Sequence, residues 1–341
     1  MCGMRATNQK IRAPEAWRFR PNEVRTRARP RCYLCGSKGE VLYDNLNDRL
    51  FSAPGEWSLR RCPDPRCGVG WLDPVHDERD VARLYEGYCT HWKPDQKYRG
   101  LKKYFIDLRR ILTLSLPLHY MRKRANLMYL DKVKPGRVLD VGCGDGTRLA
   151  LMRAKGWKVE GQEIDPKAAD RAHQVYKVEV HLGPLEEVGF PDDLFDAIIM
   201  NHVIEHVLDP ISVLTECRRI LKPGGSFVAV TPNIDGFGHQ HFGRHWLGLE
   251  PPRHLFLFSP KTLREVAARA GFVRFSVRTT ALSMQGSARA SISIRRKGKF
   301  DMRSSPGLFK EIKPAFYQLW ASAALVLNGT SGEECVLEAK K

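Results

Sequence analysis

The stretch Val138-Leu-Asp-Val-Gly-Cys-Gly-Asp-Gly146 runs from a short apolar β-type segment into a turn containing three glycines. A helix-compatible segment, Thr147–Lys155, follows at once. A buried strand, a glycine turn and a helix in that order open a βαβ unit. Gly142, Gly144 and Gly146 let the backbone turn sharply and approach a ligand closely. The dinucleotide spacing G-x-G-x-x-G is not met, since Arg148 and Leu149 follow Thr147. Asp140 stands just ahead of the glycines. A carboxylate there repels a pyrophosphate and attracts an ammonium.

Outward from this turn, short apolar segments alternate with helical ones. Arg137–Val141, Lys158–Glu163, Val178–Leu182, Ala197–Asn201 and Ser226–Thr231 read as five strands. Helices are expected near Thr147–Lys155, Pro166–Tyr176, His202–Asp209 and Ile211–Leu221. Ser259 and Pro260 open another helix, which Gly271 ends. Val273–Thr279 makes a sixth strand, and Glu333–Ala339 a seventh, antiparallel at the edge. The fold class is α/β, with a Rossmann-like seven-stranded sheet.

A ligand with a cationic amino-acid end and a nucleoside end suits Asp140 and the glycines, and S-adenosylmethionine (SAM) has both. The chain resembles the class I SAM-dependent methyltransferases on several stretches. These are VLDVGCGDG, Gly161-Gln-Glu-Ile-Asp-Pro166, Gly183-Pro-Leu-Glu-Glu187, Phe195–His206 and Leu221-Lys-Pro-Gly-Gly225. The resemblance implies cofactor contacts from Asp140, Gly142, Gly144, Gly146, Glu163, Ile164, Leu185 and Asn201. It places Glu163 on the ribose hydroxyls. Glu163 follows Gly146 by seventeen residues, near the ~20 expected for a returning second strand. Many relatives carry an Asp at the adenine turn where this chain has Pro184, so backbone groups around Leu185 take that task.

Upstream, Cys32-x2-Cys35 and Cys62-x4-Cys67 form two pairs, each followed by glycine (Gly36, Gly68). Four thiolates match a closed, structural Zn2+ site. Disulfides would need an oxidising compartment, and no export signal is legible. Cys2, Cys89, Cys143, Cys217 and Cys335 have no paired spacing and read as buried or incidental thiols. Cys67–Pro74 and Leu84–His91 resemble a bacterial methyltransferase subgroup with a zinc module ahead of the SAM domain. That resemblance implies that Tyr85 and Tyr88 pack over the cofactor as a lid; a plain core face is the other reading.

Methyl transfer from a sulfonium is an in-line displacement, and a hydroxyl acceptor also needs a base. His202, Glu205 and His206 follow strand four at i, i+3 and i+4, one face of the expected helix. They suit a histidine base assisted by Glu205. A divalent metal site is a second reading, since ubiquinone-pathway O-methyltransferases carry E-x-x-E-H where this chain has His202-x-x-Glu205-His206. A third is structural, with Glu205 and His206 bonding the backbone of the next loop. The segment Thr231–Trp246 and then Pro251–Leu255 is rich in His, aromatic and Gly residues, reads as a long loop and is expected to shape the acceptor pocket. His254 is a further candidate base; His239, His241 and His245 read as solvated or structural.

The 341 residues carry 56 Lys and Arg against 38 Asp and Glu, a net +18. The excess gathers in residues 1–31 and 288–313 and suits an anionic partner, although solvated surfaces explain it as well. No apolar run reaches the ~20 residues of a membrane span. The nearest, Phe316–Leu327, is short and interrupted by Gln318. The expected organisation is a basic, disordered tail (1–30), a zinc module (31–76), a helical lid (77–130), the SAM-binding core (131–282), and a helical insertion with the final edge strand (283–341). A cytoplasmic enzyme is expected, methylating a hydroxyl of a small polar acceptor: a sugar, nucleotide sugar or secondary metabolite. A zinc-containing rRNA or tRNA methyltransferase is the alternative, though the tail lacks an aromatic stacking pattern. A non-catalytic SAM-binding module is a third.

Overall fold

The computed structural model describes residues 24–84, 116–302 and 308–341. Two small sheets precede the large one. The strand β1 (Thr26–Arg27) pairs antiparallel with β5 (Val75–His76). The strands β2 (Glu40–Leu46), β3 (Trp57–Arg61) and β4 (Gly70–Asp73) form an antiparallel meander. A fourth strand, β11 (Phe256–Leu257), joins the open edge of β4 from far along the chain. The cysteine module therefore shares its sheet and its core with the rest of the protein. Trp57, Leu59, Trp71, Leu72, Phe256 and Phe258 belong to one buried cluster with Phe195 and Phe227.

The large sheet holds β6 (Arg137–Val141), β7 (Lys158–Glu163), β8 (Glu179–Leu182), β9 (Phe195–Asn201), β10 (Leu221–Pro232), β12 (Arg274–Thr280) and β13 (Glu334–Lys340). Their order is β12-β13-β10-β9-β6-β7-β8. The pairings among β6 to β10 are parallel, and β13 runs antiparallel to both neighbours. Strand β9 is buried on both faces, with Ala197, Ile198, Ile199 and Met200 fully covered, as an unbroken apolar run in a parallel sheet requires. Asp165 and Asp209 cap the helices Pro166–Tyr176 and Pro210–Ile220 through their side chains, and each helix has proline in its first turn.

Four expectations change. The last strand is not at the edge: β13 lies between β10 and β12, where seven-residue registers on both sides satisfy its backbone. Residues 24–30 are not a disordered tail, because Arg25 pairs with Asp80 and the Arg29 amide bonds Asp73. The segment Thr231–Leu255 is largely buried and contains the helix Phe237–Phe242, so it is a packed element rather than an open loop. The helix expected at His202–Asp209 does not form. His202 leaves the strand at φ 55°, and Ile204–His206 form a turn. Residues 1–23 and Tyr85 and Tyr88 of the expected lid lie outside the described residues.

Candidate active site

The glycine turn forms at the carboxyl end of β6, where ligands bind in wound α/β sheets. Gly142, Gly144 and Gly146 all have positive φ, at 66°, 55° and 77°. Close approach explains Gly142 as well: a Cβ there would sit 2.4 Å from Cγ2 of Val203. The turn after β9 is thus pressed against the glycine turn. The Glu163 carboxylate at the end of β7 accepts from the Gly144 amide at 2.8 Å, and from the Ile164 and Asp165 amides. Its remaining lone pairs are suited to sugar hydroxyls. Ile164 is half exposed beside it, whereas Leu185 is buried, which leaves only Leu185 backbone groups for a ligand. Asn201 ends β9 opposite Val230. Burial pushes the Asp140 carboxyl up to about 7; Arg148 opposes the shift and Glu163 adds to it.

Beyond β9, His202 bridges two carboxylates. Its Nδ1 lies 3.2 Å from Glu205 and its Nε2 3.1 Å from Glu334. Burial acts to lower its pKa, but these two bonds hold it at about 10. His202 keeps 38% of its side-chain surface, so solvent moderates both influences and the upward direction stands. An imidazolium with both nitrogens engaged has no lone pair to accept a proton, which sets His202 apart from the base expected of it. The main-chain carbonyl of Glu205 accepts from the Leu255 and Phe256 amides. The structural reading of this motif is therefore realised in part, because the turn holds the following segment.

His206 and His254 pack edge to face with centroids 4.7 Å apart. The Nδ1 of His206 faces the Arg253 carbonyl at 3.1 Å, and that of His254 the Gly248 carbonyl at 2.8 Å. A carbonyl only accepts, so both rings carry their proton on Nδ1 when neutral. The His254 Nε2 looks toward Glu205 and Glu250, at 3.9 and 3.7 Å. Burial and the neighbouring His254 lower the His206 pKa to about 4. One donor atom each from Glu205, His206 and His254 fall within 4.8 Å of one another. Glu205 Oε2 is buried with no hydrogen-bond partner.

The methyltransferase-domain family model matches residues 116–276. A ubiquinone biosynthesis O-methyltransferase of Cereibacter sphaeroides is 26% identical over 178 residues, 50% of this chain and 71% of that protein. The enzyme of the same name from Maricaulis maris is 28% identical over 214 residues, 58% of this chain and 81% of that one. Among solved structures, the phosphoethanolamine N-methyltransferase 2 of Haemonchus contortus with bound SAM aligns at 19% identity. It covers 65% of this chain and 52% of that one, with a TM-score of 0.44.

Residues 116–276 are a methyltransferase domain. The enzyme is a SAM-dependent methyltransferase.

The methyltransferase brings its four predicted thiols together. Cys32 and Cys67 lie 3.6 Å apart at sulfur, Cys35 and Cys62 3.3 Å, and all four sulfurs fall within 4.8 Å. Gly36 and Gly68 turn at φ 74° and 77°. Backbone amides of Leu34 and Cys35 donate to the Cys32 sulfur, and that of Val69 to Cys67. Unbonded sulfurs at such spacing fit a tetrahedral metal with ~2.3 Å metal–sulfur bonds.

Several residues that hold the candidate site in place escaped the sequence. Gln162 accepts from the Gly142 amide and donates to the Gly183 carbonyl at 2.6 Å, joining the glycine turn after β6 to the turn after β8. Glu333 takes hydrogen bonds from Trp246, Ser287 and the Gly238 amide. Burial raises it to about 7. Glu334 holds His202, and Arg253 holds Asp48 and Glu250. Only Gln162 offered a signal, by its place beside Glu163; the Glu333 and Glu334 bonds and the Arg253–Asp48 pair act across long stretches of chain.

Proposed function

We propose that this methyltransferase moves a methyl group from SAM to a hydroxyl of a small polar acceptor, a sugar, nucleotide sugar or secondary metabolite. Asp140 takes the ammonium, Glu163 the ribose hydroxyls, and the amides around Leu185 the adenine. One observation carries the reading: Val203 seats against Gly142, so the Glu205, His206 and His254 group stands beside the cofactor loop. His254 is the proposed base. Its Nδ1–H is fixed by a carbonyl, and Glu205 and Glu250 stabilise the imidazolium formed when Nε2 takes the hydroxyl proton. Alignment by the buried walls supplies the rest of the rate. The name of the O-methyltransferase relatives supports transfer to oxygen.

The test pairs calorimetry with transfer. SAM should bind the wild type. A methyl label should then appear on hydroxyl acceptors from sugar, nucleotide-sugar and metabolite pools, and His254→Gln should lower kcat by about 10^2–10^4 with SAM affinity kept. Label appearing on RNA alone would replace this acceptor class.

A second reading is favoured by the orphaned Glu205 Oε2. A divalent cation held by Glu205, His206 and His254 would occupy that oxygen and polarise the acceptor hydroxyl. Activity lost to a chelator and restored by the metal would favour it over the base.

For Cys32, Cys35, Cys62 and Cys67 we propose structural Zn2+. The four-sulfur donor set leaves no open coordination position, so the ion would staple the module and take no part in transfer.

A further inference from the structure

The helix Leu308–Leu327 packs one side against its neighbours, burying Pro314, Tyr317, Gln318 and Ala321. Its other side leaves Ile312, Phe316, Leu319, Trp320, Val326 and Leu327 between 51% and 90% exposed. Their spacing places them along one stripe of the helix. A continuous exposed surface of large apolar side chains marks an interaction site.

The surroundings of the stripe are basic. Trp320 lies 6.3 Å from the Tyr317 ring, Tyr317 5.1 Å from Phe242, and the Arg295 guanidinium 5.5 Å from Phe242. Arg295 and Lys313 flank His241; Arg49, Arg244 and Arg295 surround His245. Among the described residues, no ion pair with a carboxylate forms at Arg49, Arg244, Arg295 or Lys313. Arg244, Arg295 and Lys313 are exposed.

We propose that this face docks on an anionic phospholipid bilayer, the apolar stripe entering the interface and the Arg and Lys rim meeting the headgroups. Interfacial helices combine an apolar face carrying Trp, Phe and Leu with basic flanks in this way. The helix lies on the bilayer without crossing it, since no described helix is long and apolar enough to span. A second copy fits less well, because self-docking on this face sets one basic rim against another. Nucleic acid fits less well too, because aliphatic Ile312, Leu319, Val326 and Leu327 offer no stacking surface. The inference is independent of which acceptor the active site takes.

Sedimentation of the full chain with vesicles tests it. Wild type should pellet with equimolar phosphatidylglycerol–phosphatidylcholine vesicles and stay in the supernatant with phosphatidylcholine vesicles alone, with binding weakened by salt. Phe316→Ser with Trp320→Ser, and separately Arg295→Glu with Lys313→Glu, should each reduce partitioning at least about tenfold. Both variants should keep wild-type SAM affinity and thermal midpoint, which separates failure of docking from failure of the methyltransferase reading. No partitioning by wild type, or equal partitioning by the variants, overturns the proposal. So does a wild-type dimer that Phe316→Ser with Trp320→Ser converts to monomer, or RNA binding lost in that variant. New protease cleavage within residues 85–115 of the same variant would name that segment as the occupant and overturn it as well.

Discussion

Arg253 and Asp48 meet in a two-pronged ion pair, at 2.8 and 2.9 Å, with neither side chain exposed to solvent. They stand 205 residues apart in the chain. Asp48 lies in the cysteine module, and Arg253 adjoins His254 of the candidate active site. Asp48 also accepts the amides of Leu50, Phe51 and Ala53, while Arg253 bonds Glu250 and the Leu84 carbonyl. The module and the segment carrying His254 are therefore locked by one fully bonded charge pair, the arrangement in which burial of charge is tolerated.

Removing one partner leaves the other charged, buried and unpaired. Asp48→Ala should cost about 3–5 kcal/mol in urea unfolding. Asp48→Ala with Arg253→Met together should cost clearly less than the sum of the two single changes. Additive losses would show that the pair is not coupled.

Asp140 gives a pH test. Its folded pKa, about 7, lies above the ordinary carboxylate range because of burial. The folded apo protein thus holds this proton more tightly than the unfolded chain, so its contribution to stability declines as pH rises from about 4 to 7. The ammonium of SAM needs the ionised form. Affinity for SAM should rise with pH up to about 7 and then level, with proton release on binding near neutrality. Asp140→Asn should bind weakly and without that pH dependence. A wild-type affinity flat from pH 5 to 8, in calorimetry, would remove Asp140 from the cofactor site.

Gly142→Ala adds a methyl 2.4 Å from Val203 Cγ2 at a residue with φ 66°. The left-handed backbone alone costs about 1–2 kcal/mol. The clash also pushes the turn after β9 away from the cofactor loop. Stability and SAM affinity should both fall. Val203→Ala in the same chain should restore part of the SAM affinity, while the backbone cost remains. Equal affinities for Gly142→Ala and wild type would separate the two turns.

Cys32→Ser or Cys62→Ser should abolish stoichiometric zinc and lower Tm by roughly 5–10 °C, since metal binding is folding free energy. Elemental analysis and a thermal melt on the same sample measure both. Unchanged zinc would refute the four-thiolate assignment.

Local chemistry was readable from the chain. A glycine turn after an apolar strand, a proline after a capping Asp, and paired cysteines followed by glycine each act within a few residues, so the strand alternation and the thiolate cluster were legible. The segment after β9 shows where local reading stops. His202, Glu205 and His206 have helical spacing, but the Leu255 and Phe256 amides take the Glu205 carbonyl and Val203 fills the space against Gly142. Tertiary bonds outweighed a weak local propensity.

By itself the sequence determined the wound sheet, the glycine turn and the cysteine set, because periodicity and turn stereochemistry are written in neighbouring residues. Only the tertiary structure decided that β13 enters between β10 and β12, that β11 completes the module's sheet, and that Arg253 finds Asp48. These pairings satisfy backbone edges and buried charges across 50 or more residues. Which partner answers such a demand depends on what the folded core brings near it.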